Sequence, residues 1–359
     1  MQPFYDKTLR DRLQTGFLAV IAFVLILFLL VQARFTLISL SIALLLFSLT
    51  SDAIHVISTW LKVPKWLATT IALIGIALGL LWISTTIVAQ INEVVQTSIN
   101  YAEQVQAAVL AQSQRLGPEV QERILTAVTN FNITGWIRSL AGQVSGLLSG
   151  TIMVILFVGF MFAEQIWFSV KLASLTKDPA EAAQVMAIIK SIKQRVNRYL
   201  VVKTGVSAVT AALVWGIFSL AGLELAAAVA LLTFVLNFIP SIGSIIATIV
   251  AALLAFVLSG EMTVTVAVTA ACTVAQFMIG NVIEPMLLGQ RLQLSSLGII
   301  LGLAFWGAIW GIMGMFLAVP IMVAIMIIYA HIPWLRAVAI ILSREGMIQT
   351  ETIAPPPTK

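Results

Sequence analysis

The chain has 359 residues, 60% of them hydrophobic and only 10% charged, with 20 Lys and Arg against 15 Asp and Glu and a mean hydropathy of +1.05. An ordinary soluble domain carries about 25% charged residues, so most of this surface must face lipid. That excludes a soluble enzyme, a disordered chain and a nucleic-acid-binding domain, and the net charge of +5 is expected to come from Lys and Arg in cytoplasmic loops.

The pattern predicts an all-α, polytopic integral membrane bundle. A crossing helix needs about 20 apolar residues, and the first three candidates lie near 15–33, 35–50 and 66–90. The first pair is joined so tightly at Gln32-Ala33-Arg34 that it must form a helical hairpin. The opening apolar run has no small-residue cleavage pattern and is read as a retained helix rather than a signal peptide. Between the second and third crossings, 51–65 closes at Pro64 and reads as an interfacial helix, with Trp60 and Trp66 at headgroup level.

Residues 91–145 break the apolar pattern. They are polar and Gln-rich, interrupted by Gly117-Pro118, and predict two amphipathic helices joined by a turn. A fourth crossing follows at about 146–168. The stretch 169–203 is basic. Asp178-Pro179 is a helix start, an N-cap acid before proline, and Val185, Ile188, Ile192, Val196 and Tyr199 recur at helical spacing. This segment is expected to lie along the membrane or a neighbouring helix, or to act as a gate. The fifth crossing covers about 204–222.

The apolar stretch 225–258 is too long for one helix and contains Asn237-Phe238-Ile239-Pro240-Ser241-Ile242-Gly243. A crossing at 262–283, the polar segment 284–296 and a last apolar stretch at 297–331 complete the bundle before a tail with Pro355-Pro356-Pro357. Placing 1–14, 51–65, 169–203, 284–296 and 332–359 on one side collects 16 of the 20 Lys and Arg, so that side is cytoplasmic and both termini lie there. The count closes only if 225–258 and 297–331 each go in and come back, as re-entrant or fully spanning helical hairpins. The resulting division is 1–90 N-terminal membrane helices, 91–145 extracytoplasmic helical domain, 146–203 fourth span and basic cytoplasmic helix, 204–335 transport core, and 336–359 a partly disordered tail.

No nucleotide or hydrolase motif is present: neither a P-loop nor G-x-S-x-G occurs, and His55 and His331 lack metal-ligand spacing. No enzyme activity, cofactor or metal is therefore expected. Cys272, the single cysteine, reads as a small buried apolar residue. Polar candidates cluster in two places. Pro240 removes a backbone donor and Gly243 permits unusual conformations. Freed backbone groups at membrane depth must be buried in protein or line a polar cavity, and Asn237, Ser241 and Ser244 could answer them. Gln276, Gly280 and Glu284, four apart, would share a helix face. With Asn281 they could line a path, with Pro285 ending the helix and Arg291 pairing with Glu284. Glu164 closes the fourth crossing and is a third acid that could couple or gate. Glycines four apart (Gly75 and Gly79; Gly142, Gly146 and Gly150; Gly298 and Gly302; Gly307 and Gly311) permit close helix approach and self-association.

Three motifs, Asn237-Phe238-Ile239-Pro240-x-x-Gly243, Gly280-Asn281-x-x-Glu284-Pro285-x-x-x-Gly289 and Phe305-Trp306-Gly307-x-x-Trp310-Gly311-x-x-Gly314-x-x-x-Ala318-Val319-Pro320, resemble the autoinducer-2 exporter family of bacterial permease-like transporters. The resemblance in hydropathy extends over nearly the whole chain. It implies a multi-pass inner-membrane transporter that assembles as a homo-oligomer. In that reading the chain exports a small polar solute such as the furanosyl signalling molecule autoinducer-2. Some members are assigned sodium/proton antiport, which makes proton or sodium coupling the first alternative. A non-transporting scaffold or channel-like oligomer is the second. Departures from the family pattern are Ser241 and Ser244, where an aromatic and a proline are expected, Ser295-Ser296 in place of Ser-Pro, and Ala163-Glu164-Gln165 in place of a Lys-Asp pair.

Overall fold

A backbone in hydrocarbon must satisfy its own polar groups, and apolar runs of this length do so as helices. The computed structural model describes residues 7–60, 62, 64–113, 133–176, 178–288, 293–344 and 346. Among these, regular structure is helical apart from one antiparallel bridge, Leu294 to Ser343. The order is α1 (Lys7–Gln32), α2 (Arg34–Trp60), α3 (Lys65–Ser113), α4 (Ile133–Leu175), α5 (Pro179–Leu220), α6 (Ala226–Leu236), α7 (Ile242–Ser259), α8 (Met262–Met278), a π-helical turn (Ile279–Ile283), α9 (Glu284–Leu288), α10 (Ser296–Ala330) and α11 (Arg336–Leu342). Eight stretches among the described residues are long and apolar enough to cross a membrane, as expected of a polytopic bundle.

Three helices run well past the hydrocarbon. α3, α4 and α5 have 49, 43 and 42 residues, about 74, 65 and 63 Å at 1.5 Å per residue, against a core of about 30 Å. The hydropathy boundaries near 90, 145 and 203 are therefore not breaks in the backbone. The segment 51–60, expected as a separate interfacial helix, is the last part of α2. The expected turn at Gly117-Pro118 and the Pro-rich tail lie outside the described residues. α5 begins where the sequence places a start: Asp178 accepts from the Ala180 N–H at 2.9 Å, with Pro179 at the first position. Its apolar stripe, Ile188, Ile192, Val196 and Tyr199, packs into the main core rather than onto lipid.

α2, α3 and α4 form one packed unit through Ala43, Ala68, Val154, Val158 and Phe162, with Phe47 edge-on to Phe162 and a buried Ser84–Thr151 hydroxyl pair at 2.7 Å. α2 is tied to α5 by two buried hydrogen bonds: Ser48 Oγ donates to Asn197 Oδ1 at 2.8 Å, and Asn197 Nδ2 donates to the Ser48 carbonyl at 3.0 Å. Asn197→Ala should lower stability by about 1–2 kcal/mol, since intramembrane side-chain hydrogen bonds average about 0.6 and reach about 1.7 kcal/mol. A melting temperature in detergent that matches wild type would contradict this.

The two expected hairpins are present. α6 and α7 fold back at 237–241. Ser241 takes φ 60°, ψ −51°, and the Ile242 N–H bonds the Pro240 carbonyl at 2.6 Å. This is the strained, positive-φ form of the γ-turn. Gly243 is required there, because a Cβ would collide with the Leu236 carbonyl. α10 folds back at Gly311, whose φ 64°, ψ −143° interrupts the helix. A Cβ on Gly302 would meet Met322, and one on Gly307 would meet Met315, so the two arms run antiparallel about that glycine. Trp310, at this tip, donates to the Leu30 carbonyl of α1 at 3.0 Å.

The glycines four apart divide. Gly298 and Gly302 sit at tight approaches, whereas Gly75, Gly79 and Gly146 have open space where a Cβ would stand.

Candidate functional site

The hairpins enter from opposite ends of the bundle. α6 and α7 begin and end beside the α5–α6 and α7–α8 connections. The long α8–α9 stretch then crosses, and α10 starts and finishes at its far end. Their tips overlap in the interior: Phe238 of the first stacks on Phe316 of the second with ring centroids 4.9 Å apart, and Leu236 and Ile239 share a core with Leu303, Trp306, Trp310 and Leu317.

Against this junction α5 presents a polar line. Tyr199, Lys203, Ser207 and Thr210 follow at helical spacing and all are buried. Asn237 at the first tip, 6% exposed, donates through Nδ2 to Ser207 Oγ at 3.2 Å and lies 3.5 Å from Thr210 Oγ1. Lys203, 2% exposed, is paired with Glu284, whose side chain is 16% exposed, at 2.6 Å. An ion pair removed from water in this way is costly to form and fixed in geometry once made. Ionisable groups within membrane helices commonly mark pathways or relays.

The backbone next to the pair is irregular. The Glu284 N–H bonds the Ile279 carbonyl five residues back, which makes 279–283 a π-helical turn, a feature frequent at functional sites. The extra residue takes up rotation, so Glu284 returns to the helix face of Gln276 and Ile279 instead of drifting past it. Gln276 and Ile279 are buried on that face, while Gly280 is exposed off it. Two buried polar atoms of the same core, Tyr199 Oη and Trp306 Nε1, have no hydrogen-bond partner among the described residues.

The residues singled out from sequence thus separate. Glu284 and Asn237 join one polar line along α5, and Pro240 and Gly243 shape the tip beside it. Ser244 Oγ donates to the Ser241 carbonyl at 2.9 Å, so both serines serve the turn. Asn281 is exposed and bonds back along its own helix, donating to the Phe277 carbonyl at 3.2 Å. Glu284 pairs with Lys203, from α5; its expected partner, Arg291, lies outside the described residues. Glu164 is exposed on α4 and pairs with Lys171 along the same helix. Pro285, expected to end the helix, instead lies inside α9, which runs on to Leu288, and Cys272 is buried. The sequence reading missed Lys203, Tyr199, Ser207 and Thr210. The one signal available was that Lys203 continues the helical spacing of Tyr199 into an apolar run.

Comparison with known proteins bears on this arrangement. The family model for AI-2E family transporters matches residues 17–334. A putative transport protein of Borreliella burgdorferi is 27% identical over 228 residues, 62% of this chain and 63% of that protein. The AI-2 transport protein TqsA of Escherichia coli is 27% identical over 286 residues, 79% of this chain and 82% of TqsA. A putative transport protein of Haemophilus influenzae is 29% identical over 273 residues, covering 74% and 78%.

Proposed function

The chain belongs to the AI-2E family of transporters, and from that premise we propose that it carries a small polar solute, autoinducer-2 or a chemical relative, outward across a bacterial inner membrane. One observation carries the reading: two helical hairpins from opposite ends meet over a buried Lys203–Glu284 pair. Discontinuous helices meeting in the interior are the usual framework of solute sites in secondary transporters. The name of TqsA supports autoinducer-2 as the first solute to test.

In this reading Asn237 and the hydroxyls of Ser207 and Thr210 hold the first tip against α5, and the ion pair closes the path beside it. Gln276 and Asn281 stand along the same crossing helix. The basic end of α5 faces the cytoplasm with both termini, following the distribution of Lys and Arg. Several copies associate in the membrane.

The buried acid Glu284 supports a second reading, cation/proton exchange, because a carboxylate within the membrane is the minimum equipment for it. The test is flux of autoinducer-2 and of sodium into proteoliposomes under an imposed proton gradient. Wild type is compared with the double variant Lys203→Met/Glu284→Gln, which removes both charges together. Autoinducer-2 movement without sodium movement, lost in the double variant, is expected. Sodium–proton exchange lost in that variant would select the second reading. Flux of neither would remove both of these solutes from the reading.

A further inference from the structure

The two members of the buried pair are not equivalent. Lys203 is 2% exposed, on a long regular helix packed on several sides. Glu284 is 16% exposed, follows a π-helical turn and precedes Pro285. The π-helical turn already departs from the regular hydrogen-bond pattern, and proline removes one backbone hydrogen bond that would stiffen the segment. The cation is therefore the fixed element and the carboxylate the one with a route to water. A charge in the membrane interior needs a partner. Whenever Glu284 moves toward water, Lys203 requires another anion. One turn before it on the same face stands Tyr199, 3% exposed, with a hydroxyl that has no partner among the described residues. The ammonium and this hydroxyl are hydrogen-bond donors, and together they match the paired oxygens of a carboxylate.

We propose that this buried position is an anion site: a small carboxylate solute takes the place of Glu284 on Lys203, with Tyr199 Oη as the second donor. This rests on the transport reading of the same site but departs from its first solute: autoinducer-2 has no carboxylate, and the class becomes molecules bearing a carboxylate or an equivalent anionic oxygen pair. Glu284 is then the occupant of the empty site. The interior stays neutral in both states, with Lys203 balanced first by the protein's own acid and then by the solute.

The test is chemical rescue with acetate, on the full-length protein in detergent. Glu284→Ala is expected to melt below wild type, and sodium acetate, against equal sodium chloride, is expected to raise its melting temperature by roughly 2–4 °C. Adding Tyr199→Phe should weaken the response several-fold in acetate concentration, and adding Lys203→Met should abolish it. Glu284→Gln, which keeps the side-chain volume, serves as the second variant in the same comparison. Folding of either variant only in acetate-containing buffer is the same positive result. No response to acetate, or an equal response without Lys203, overturns the proposal, as does failure of both variants to fold in either buffer. The readout is binding, so rescue with no solute flux in liposomes would remove the transport reading alone. Flux without rescue would remove the anion site alone.

Discussion

Glu284→Gln is expected to destabilise the protein by about 3–5 kcal/mol, the cost of leaving a buried charge without its partner. The stranded group is Lys203, whose ammonium has almost no contact with solvent. Lys203→Met should cost less, because the stranded carboxylate of Glu284 keeps a partial exposure and can turn toward water. The double variant should recover most of the loss, since a buried ion pair is commonly replaceable by uncharged groups of similar volume. In melting temperature the largest effect, for Glu284→Gln, is on the order of 10 °C at about 2–4 °C per kcal/mol. Circular dichroism or a thiol-reactive melting assay in detergent reads all three variants. Additive losses in the double variant would show that the two side chains are not coupled, and an equal loss in the two single variants would show that their difference in exposure is without consequence. The double variant is also the informative one for flux, because it separates loss of the charges from loss of the fold.

How far the sequence led can be seen at Lys203. It ends a basic stretch, and by hydropathy the fifth crossing starts at the next residue, so it counts among the loop cations that set orientation. The backbone makes no such division: α5 is one helix from Pro179 to Leu220, and the face that carries Val196 and Tyr199 into the core carries Lys203 with them. Its partner is 81 residues away in the chain, and no local pattern joins them. Glu284 was visible as an acid in an apolar setting, but the nearest base in sequence, Arg291, was a natural choice only while spacing was the guide. The first hairpin was legible because proline and glycine interrupt an apolar run, and both have local consequences. Asn237 was legible as a polar residue at that break, although its partners on α5 were not. The π-helical turn had no sequence signal that separates it from a regular helix ending at Pro285. The membrane class itself needed only composition.

The second hairpin rests on one glycine, and Gly311→Ala is expected to have the other large effect. Its φ 64°, ψ −143° lies in territory open almost only to glycine, where a side chain costs about 1–3 kcal/mol in backbone strain alone. The strain cannot relax cheaply, because both arms are fixed. Gly314, three residues on, is pressed against the Trp306 carbonyl, and Trp310, one residue before, is anchored on Leu30. Continuing the helix through this point would separate Gly302 from Met322 and Gly307 from Met315 and open the core that the first hairpin shares. Gly311→Ala should therefore lose both stability and flux, and Gly314→Ala should do so by a separate route, collision of its Cβ with backbone. Gly205→Ala is the matched control. It sits in regular helix with nothing within 4 Å of a Cβ, and alanine there should be neutral or stabilising by up to about 1 kcal/mol. Melting temperatures that fall for all three, or for none, would show that the fold-back at Gly311 does not hold the junction together. A fall confined to Gly311 and Gly314 would place the integrity of the site at the tip of the second hairpin, on a residue whose contribution is the absence of a side chain.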